Sequence, residues 1–273
     1  MKVSIVTISF NQASFLEEAL TSVLSQDYPD LEYIVVDAGS SDGSRDLIRR
    51  YRTQISEVIF EADAGPADGL NKGFARATGD VFAYLNADDM LLPGAVRGAV
   101  TAFKEHKHAG VLCGHGYLID RDGTVIRRLR TTPFRSAKRF AYGATWVLQQ
   151  STFIRADAFR DVGGFNRTNH VCWDAELLLN LALAGNEIRT VDAYWSQFRL
   201  YPESISGSQL LRGSQQLQEE TKRHRRRMLE DALGRPIGRL DLLQRKTARI
   251  EKWLTDPTSF MLRVGDAMFR RTR

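Results

Sequence analysis

The first third of the chain alternates short, continuous apolar runs with stretches in which apolar residues recur at helical spacing. Short apolar runs bounded by polar turns predict strands, and the stretches between them predict helices. Ser14 and Glu17 have the spacing of a capping box, which marks the start of the first helix. The predicted strands are residues 3–10, 33–36, 58–60 and 81–85, and the predicted helices are residues 14–25, 44–51 and 67–77.

This alternation is typical of a parallel sheet that is covered by helices on both faces. Ligands of such sheets bind beyond the carboxyl ends of the strands. The polar residues that follow the apolar runs are therefore the ones to examine for function. They are Asn11, Asp37, the loop 61–69 and the segment 86–89.

Beyond Pro93 the pattern is mixed, with a hairpin turn at residues 121–123. It favours a substrate-facing layer over a second unit of the first kind. The predicted elements are a helix to about residue 106, strands at 111–119, 124–129 and 146–154, helices at 156–162 and 173–184, and strands at 188–191 and 194–198.

Charge divides the chain of 273 residues into two parts. Residues 207–273 contain 16 Lys/Arg and 8 Asp/Glu, whereas residues 1–206 contain 22 and 25. The net charge of +5 therefore comes from the tail, and the body is mildly acidic. This distribution argues against nucleic acid as a partner of the whole chain. It predicts a main domain over 1–206 and a basic helical extension over 207–273.

The basic tail has two interpretations. Its arginines are interleaved with apolar groups, as in helices that lie on an anionic membrane surface. Alternatively, it is an extension that packs on the main domain or on a second subunit. No apolar run approaches the ~20 residues that span a bilayer, and the N-terminal run is too short for a signal peptide. We therefore expect a cytoplasmic protein, either free or peripheral at the cytoplasmic face of the membrane.

Two adjacent carboxylates, Asp88 and Asp89, follow Asn86 and Ala87 at the end of the apolar run 81–85. Neighbouring carboxylates repel one another unless a cation or hydrogen-bond donors lie close. A divalent metal held by one or two carboxylates and by a ligand's phosphates would meet this need. A turn that caps the next helix is the alternative on these residues alone.

Two further carboxylate sites have similar alternatives. Asp37 precedes a loop with glycines at 39 and 43, which suits either close approach to a ligand or an ordinary turn. Asp174 and Glu176 follow Trp173 at the start of an apolar helix. Carboxylates there suit the helix dipole, and one of them could also be a general base.

Taken together, these motifs resemble the inverting nucleotide-sugar glycosyltransferases of family 2, which have a GT-A fold. The resemblance covers residues 3 to about 206, with a nucleotide-sugar half at about 1–90 and an acceptor and catalytic half at about 91–206. The segment 64–73 further resembles a subgroup from bacterial surface-polysaccharide synthesis. The motifs are residues 3–11, 35–44, 71–73, 77–80, 85–89, 163–166 and 174–177.

The resemblance implies a mixed Rossmann-like sheet and transfer of a sugar from a nucleoside-diphosphate sugar to a saccharide or lipid-linked acceptor. A divalent cation, Mn²⁺ or Mg²⁺, would neutralise charge on the diphosphate. Asp174 would be the catalytic base, and Asp88 would hold the metal. The donor-binding residues would be Thr7, Ser9, Asn11, Asp37, Asp68, Lys72, Asn86 and Ala87, and the acceptor-side residues Gln150, Trp173 and Glu176.

The sequence departs from the family pattern at the metal site. Asn86 stands where the first acid of the Asp-x-Asp motif is expected, and Tyr201 and Gln149 stand where many relatives carry a histidine. We therefore expect weaker metal binding with the mechanism retained. A catalytically silent, nucleotide-binding relative that acts as a scaffold in a polysaccharide assembly is the alternative.

Overall fold

The computed structural model describes residues 1–210 and 213–255, and it contains one mixed sheet with helices on both sides. The strands are β1 (Val3–Ser9), β2 (Leu31–Asp37), β3 (Glu57–Phe60), β4 (Val81–Asn86), β5 (Met90–Leu91), β6 (Ala109–Ile119), β7 (Val125–Leu129), β8 (Thr152–Arg155) and β9 (Glu187–Arg199). The helices are α1 (Ala13–Leu24), α2 (Ser44–Arg50), α3 (Pro66–Phe74), α4 (Ala95–Glu105), α5 (Ala137–Ala141), α6 (Ala156–Asp161), α7 (Trp173–Leu183), α8 (Ile205–Leu210), α9 (Gln215–Leu233) and α10 (Arg239–Thr255).

The strand order places a ligand crevice at the centre of the sheet. The order is β3-β2-β1-β4-β8-β6-β9-β5, with β7 paired to β6 outside this path. Strands β1 to β4 are mutually parallel, and β8 is the first antiparallel strand beside them. After β3 the chain returns through α3 to the other side of β1. The order therefore reverses between β1 and β4, and such a switch point is where open α/β sheets bind ligands.

Two apolar layers hold the sheet, one on each face. The side chains of β1 alternate between them, with Ile5 on one face and Val6 on the other. Helices α1, α2 and α4 cover the first face through residues such as Leu20 and Phe103. Helices α3, α6 and α7 cover the second face. Both faces being covered explains why the central strands are continuous apolar runs.

The first helix begins differently from the prediction. The capping box predicted at Ser14 and Glu17 is wrong, because α1 starts at Ala13 and its N-cap residue, Gln12, makes no side-chain capping hydrogen bond. The carboxylate of Asp42 instead accepts the Ala13 N–H at 2.8 Å. A long-range partner thus satisfies a free helix N–H group.

Three other predicted elements have different bounds. The strand at 146–154 is only β8, preceded by a 3-10 turn at Gln149–Ser151. The helix 67–77 ends at Phe74. The late strands 188–191 and 194–198 are one continuous strand, β9. β9 is continuous because it pairs with β6 along its length. Register shifts in this pairing accommodate the polar residues between the two predicted runs.

The C-terminal helices pack on the body as far as they are described. On α9, Met228 packs against Cys172 and Leu179 of the α7 region, and Leu229 packs with Tyr142 beside α5. Tyr142 also donates a hydrogen bond to Asp241 of α10 at 2.7 Å. In the described part of the chain, no helix has the length and apolar character needed to cross a membrane. The apolar tail residues between 260 and 269 lie outside the described residues.

Candidate active site

Asp37 ends β2 in a cradle of hydrogen-bond donors. Its side chain is fully buried and accepts the N–H groups of Gly39 at 3.0 Å and Ser40 at 2.9 Å. Arg45 forms an ion pair with it at 2.7 Å. Burial favours the neutral acid, but hydrogen bonds from Ser40 and Arg45 outweigh it and lower the pKa of Asp37. Asp37 is therefore an anionic group fixed at the carboxyl edge of the sheet.

The end of β1 is tied to the same loop. Asn11 has a φ of 52°, a left-handed conformation that asparagine tolerates better than most residues. Its side-chain oxygen accepts the Ser41 N–H at 3.0 Å. Ser9 is buried at the strand end, whereas Thr7 lies in the core and accepts a hydrogen bond from Tyr33 at 2.9 Å. The Thr7 side chain therefore supports the strand, and its predicted place in the donor site stays a prediction.

Asp68 and Lys72 lie on α3 beside this edge. Asp68 is buried and pairs with Arg167 at 2.7 Å. The Lys72 ammonium donates to the carbonyl of Ala62 and lies 3.9 Å from the Asp68 carboxylate. Asp63 was not singled out in the sequence, yet burial raises its pKa and its electrostatic neighbours include Asp68, Lys72 and Asp37. The loop 61–69 thus brings a second carboxylate to the donor side.

The turn after β4 separates the two adjacent carboxylates. Asp89 is buried and accepts hydrogen bonds from Gln150 at 2.7 Å and from the Arg199 N–H at 3.0 Å. Asp88 is partly exposed, and its carboxylate accepts the Tyr201 hydroxyl at 2.9 Å. Asp88 is therefore the more accessible of the two carboxylates, and Asp89 is held inside the turn by its hydrogen bonds. Ala87 packs into the apolar core, so its side chain is not available to a ligand.

Burial controls the protonation of this pair. Burial raises the pKa of Asp88, although the hydrogen bond from Tyr201 opposes this effect. Burial, and then the charge of Asp88, raises the pKa of Asp89 well above its ordinary value. Either a cation or the protonation of one carboxyl group would relieve their mutual repulsion.

Arg199 holds the turn from within the protein and was missed as a functional residue. Its guanidinium is buried and donates to the carbonyl oxygens of Asp88 at 3.0 Å and Arg121 at 2.6 Å. It also pairs with Glu18 of α1. The available signal was a charged residue between the apolar Phe198 and Leu200 at a strand end, since arginine is rarely fully buried unless it is paired.

Asp174 lies in the first turn of α7, two residues after the buried Cys172. Burial raises the pKa of Asp174, while the Ala175 N–H and the charge of Arg225 lower it. Asp174 also raises the pKa of Tyr84 on β4, after burial, through its charge. Asp174 therefore lies close enough to Tyr84 for its charge to act on that side chain.

Glu176 is buried and fully engaged. It accepts the side-chain amides of Asn166 at 2.9 Å and Asn169 at 2.6 Å, and Arg227 of α9 lies 3.3 Å away. These contacts give the carboxylate a structural task. Its predicted place on the acceptor side stays a prediction.

Three buried polar atoms at this edge have no hydrogen-bond partner among residues 1–210 and 213–255. They are Ser9 Oγ, Asn86 Oδ1 and Trp173 Nε1. Buried polar groups are nearly always satisfied, so these atoms are suited to contacts with a ligand. Each belongs to a residue that the sequence placed in the site.

The family comparison agrees with this geometry. Residues 4–163 match the model of glycosyl transferase family 2, which is more than half of the chain. The chain belongs to glycosyl transferase family 2. This confirms the family that the motifs predicted.

Named relatives are glycosyltransferases of bacteria. An uncharacterized glycosyltransferase of Nostoc sp. is 37% identical over 48% of this chain and 41% of its own length. One from Mycobacterium tuberculosis is 31% identical over 66% of this chain and 69% of its own length. A putative teichuronic acid biosynthesis glycosyltransferase of Bacillus subtilis is 32% identical over 48% of this chain and 53% of its own length. The chain therefore spans less than two thirds of some relatives that it matches.

Solved structures confirm the predicted GT-A type of α/β fold. TarS residues 1–349 from S. aureus, in complex with UDP-GlcNAc, has a TM-score of 0.63 at 20% identity and covers 85% of this chain and 72% of its own. A mannosyltransferase from Pyrobaculum calidifontis, in complex with GDP-Man and Mn²⁺, has a TM-score of 0.60 at 19% identity and covers 98% and 80%. At these identities the likeness establishes the fold alone.

Proposed function

We propose that this protein is an inverting glycosyltransferase that moves a sugar from a nucleoside-diphosphate sugar to a hydroxyl acceptor. The observation that carries the proposal is that the buried, unsatisfied atoms Ser9 Oγ, Asn86 Oδ1 and Trp173 Nε1 belong to residues at the ends of β1 and β4 and at the start of α7, close in sequence to Asp88 and Asp174. Family membership supplies the reaction class. The general base and the residues that orient the acceptor are assigned from this chain's own side chains.

On the donor side, we assign nucleoside recognition to Asp37, Ser9 and Asn11. Asp37 is anionic and rigidly held, so it is suited to accept N–H groups of a base. Asp68 and Lys72 lie on α3, which packs against β1 and β2, and a polar sugar or a phosphate would find both charges there. Hydrogen bonds from Ser40 and Arg45 outweigh burial and lower the pKa of Asp37, which favours an acceptor role at neutral pH.

The residues at the end of β4 suit a divalent cation of modest affinity. Asp88 offers a carboxylate and Asn86 offers a buried oxygen that lacks a partner. Mg²⁺ and similar ions are often held by one or two protein oxygens together with phosphates and water. No group of three His, Cys, Asp or Glu side chains with metal-binding geometry occurs in the described part of the chain. When bound, such a cation would neutralise charge on the leaving diphosphate.

Asp174 is the proposed base. An acceptor hydroxyl transfers its proton to the Asp174 carboxylate while its oxygen forms a bond to the anomeric carbon. The bond from that carbon to the diphosphate oxygen breaks on the opposite face, which inverts the configuration. A raised pKa brings the carboxylate closer to the working pH and so makes it a better base. Orientation of the acceptor is assigned to Trp173, which precedes Asp174 on α7, and to Gln150, which donates to Asp89.

We place the enzyme in bacterial surface-polysaccharide or glycolipid synthesis, with a saccharide or lipid-linked acceptor, in the cytoplasm. The relatives' names support this context. Contact with an anionic membrane is proposed for α10, whose outward side carries Leu240, Leu243 and Ile250, all at least half exposed. Asp241 and Ala248 on the other side are buried. Sedimentation with phosphatidylglycerol vesicles should capture the wild type, and Leu243→Glu should weaken capture. Equal capture of both would contradict this surface.

The first experiment is a thermal-shift panel of nucleoside diphosphates and nucleotide sugars, with and without Mn²⁺. A ligand that binds the native state raises the melting temperature by mass action. We expect a shift with one nucleotide, enlarged by Mn²⁺ in the wild type and not in Asp88→Ala. Donor hydrolysis and transfer are then measured with that donor. No shift with any nucleotide would contradict the proposal.

The silent scaffold is the second candidate, and one contact favours it. The Tyr201 hydroxyl already donates to Asp88 and is itself contacted by the Gln12 amide at 3.2 Å. A carboxylate engaged in this way is less available to a cation. A scaffold would bind nucleotide without Mn²⁺ dependence and release no nucleoside diphosphate, whereas the enzyme would release it.

A further inference from the structure

The loop between α6 and α7, residues 162–172, contacts both halves of the site. We refer to it as the bridging loop. On the donor side, the backbone of Phe165 exchanges two hydrogen bonds with the Asn71 side chain of α3, at 2.8 and 3.0 Å. Arg167 pairs with the buried Asp68 at 2.7 Å. The loop is therefore fixed to the helix that carries the donor-side charges.

The other end of the bridging loop is fixed to α7. The Asn166 and Asn169 amides both donate to Glu176, and Asn169 Oδ1 accepts the N–H groups of Val171 and Cys172 at 3.2 and 3.0 Å. Asn169 is fully buried. Both asparagines thus have their orientation set by the chain around them, and Glu176 is the shared acceptor.

The tail helix α9 contributes a cation that pairs with this carboxylate. Arg227 lies 3.3 Å from Glu176 Oε1. Met228 beside it packs on Cys172 and Leu179, so α9 is seated against α7 at this point. Glu176 is two residues from Asp174, in the same first turn of α7. Whatever fixes Glu176 therefore fixes the start of the helix that carries the proposed base.

We propose that Arg227 is a positioning residue for the transfer reaction, acting through Glu176 and the bridging loop to hold Asp174 in place relative to the donor. The inference rests on the proposed role of Asp174. It makes the tail helix α9 part of the catalytic unit, in addition to any role of α10 at a membrane. It also means that one chain of contacts links the donor side to the base side, from Asp68 through the bridging loop to Glu176.

The physical reason is that Arg227 neutralises a carboxylate taken out of water. Two neutral amides satisfy Glu176 geometrically, but they carry no net charge. A buried carboxylate without a cation is costly, and rotation of its side chain toward solvent would relieve that cost. Such a rotation would release Asn166 and Asn169 and shift the first turn of α7. A displacement of about 1 Å at a reacting group can lower the rate by as much as about 100-fold.

The test compares Arg227→Met with Arg226→Met. Arg226 is the adjacent residue and pairs on the surface with Glu230 at 3.2 Å, so its variant matches the change in charge and side-chain size. We expect Arg227→Met to lower kcat for transfer about tenfold or more, with the donor KM within about twofold. Its Tm should fall by no more than about 4 °C relative to that of Arg226→Met, because the Arg227 side chain is 58% exposed and rotation of Glu176 toward solvent limits the cost. Arg227→Lys should restore a large part of kcat.

Two results would overturn the inference. One is a kcat of Arg227→Met equal to that of Arg226→Met. The other is a loss that appears equally in Tm, donor KM and kcat, which would mean general destabilisation. Failure of the proposed function is read separately, because it would appear as absent turnover in the wild type or as normal transfer by Asp174→Asn.

Discussion

Replacing Arg199 with methionine tests whether the buried guanidinium holds the Asp88 turn. Methionine keeps much of the length and apolar contact of the side chain, including the packing near Phe15, whose ring lies 4.9 Å from the guanidinium carbon. It removes every donor. The carbonyl oxygens of Asp88 and Arg121 would then lose their side-chain donor, whereas that of Asp120 keeps the Gly123 N–H.

The expected cost follows from counting those acceptors. Each partly buried acceptor that loses its donor costs about 1 kcal/mol, the low end of the measured range, so two cost about 2 kcal/mol. The Glu18 ion pair adds little, because Glu18 is 52% exposed and can be hydrated. About 2 kcal/mol corresponds to a fall in Tm of roughly 4–8 °C for a domain of this size.

The assay is thermal unfolding followed by far-UV circular dichroism, together with the donor KM. Arg97→Met is the control, because Arg97 forms an exposed pair with Asp27 at 2.8 Å and should cost less than about 1 kcal/mol. We also expect a raised donor KM for Arg199→Met, since the backbone of the Asp88 turn is released. If Arg199→Met melts within about 2 °C of Arg97→Met, the hypothesis that Arg199 holds the Asp88 turn is refuted.

Three further outcomes are expected. Asp174→Asn should lower kcat for transfer by about 10²–10⁴-fold while titration calorimetry shows unchanged donor binding; normal transfer would exclude it as the base. Tyr201→His should lower the Mn²⁺ concentration for half-maximal activity, because it replaces a hydroxyl donor to Asp88 with a potential ligand, and an unchanged requirement would disprove this. Burial raises the pKa of Glu32, but hydrogen bonds from Lys2, Ser4 and Thr78 prevail and lower it from 4.5 to about 2. Its stabilisation of about 3 kcal/mol is therefore present above pH ~4.5 and lost as the pH falls toward 2. Melting between pH 7 and 3 should show a flatter acid limb for Glu32→Gln, and identical curves would contradict it.

The sequence predicted the donor half well because local and global signals agree there. The apolar runs that became β1, β2 and β4 are buried on both faces, so continuous hydrophobicity was a sufficient signal. Asp37 and Asp88 were singled out because each lies at or shortly after the end of such a run. Their position at the sheet edge is a consequence of parallel pairing, which needs no knowledge of distant contacts.

The parts that were missed depend on partners far along the chain. The start of α1 is satisfied by Asp42, which no local capping pattern contains. Asp88 and Asp89 looked alike in sequence, and only Gln150 and Arg199 give them separate tasks. The packing of α9 on α7 could not be inferred from a run of arginines, because the same run also suits a membrane surface.

The hydrogen bond from Arg199 to the Asp88 carbonyl also has a consequence for the order of synthesis. These residues are 111 positions apart. Strands β1, β2 and β4 leave the ribosome first and can pair early, but their ligand turn lacks its anchor until β9 has been made. Contacts of such long sequence separation form late and slow folding. A nascent or truncated chain that ends before residue 199 would therefore have the donor strands without a rigid Asp88 turn, so nucleotide capture should begin only once the last strand is in place.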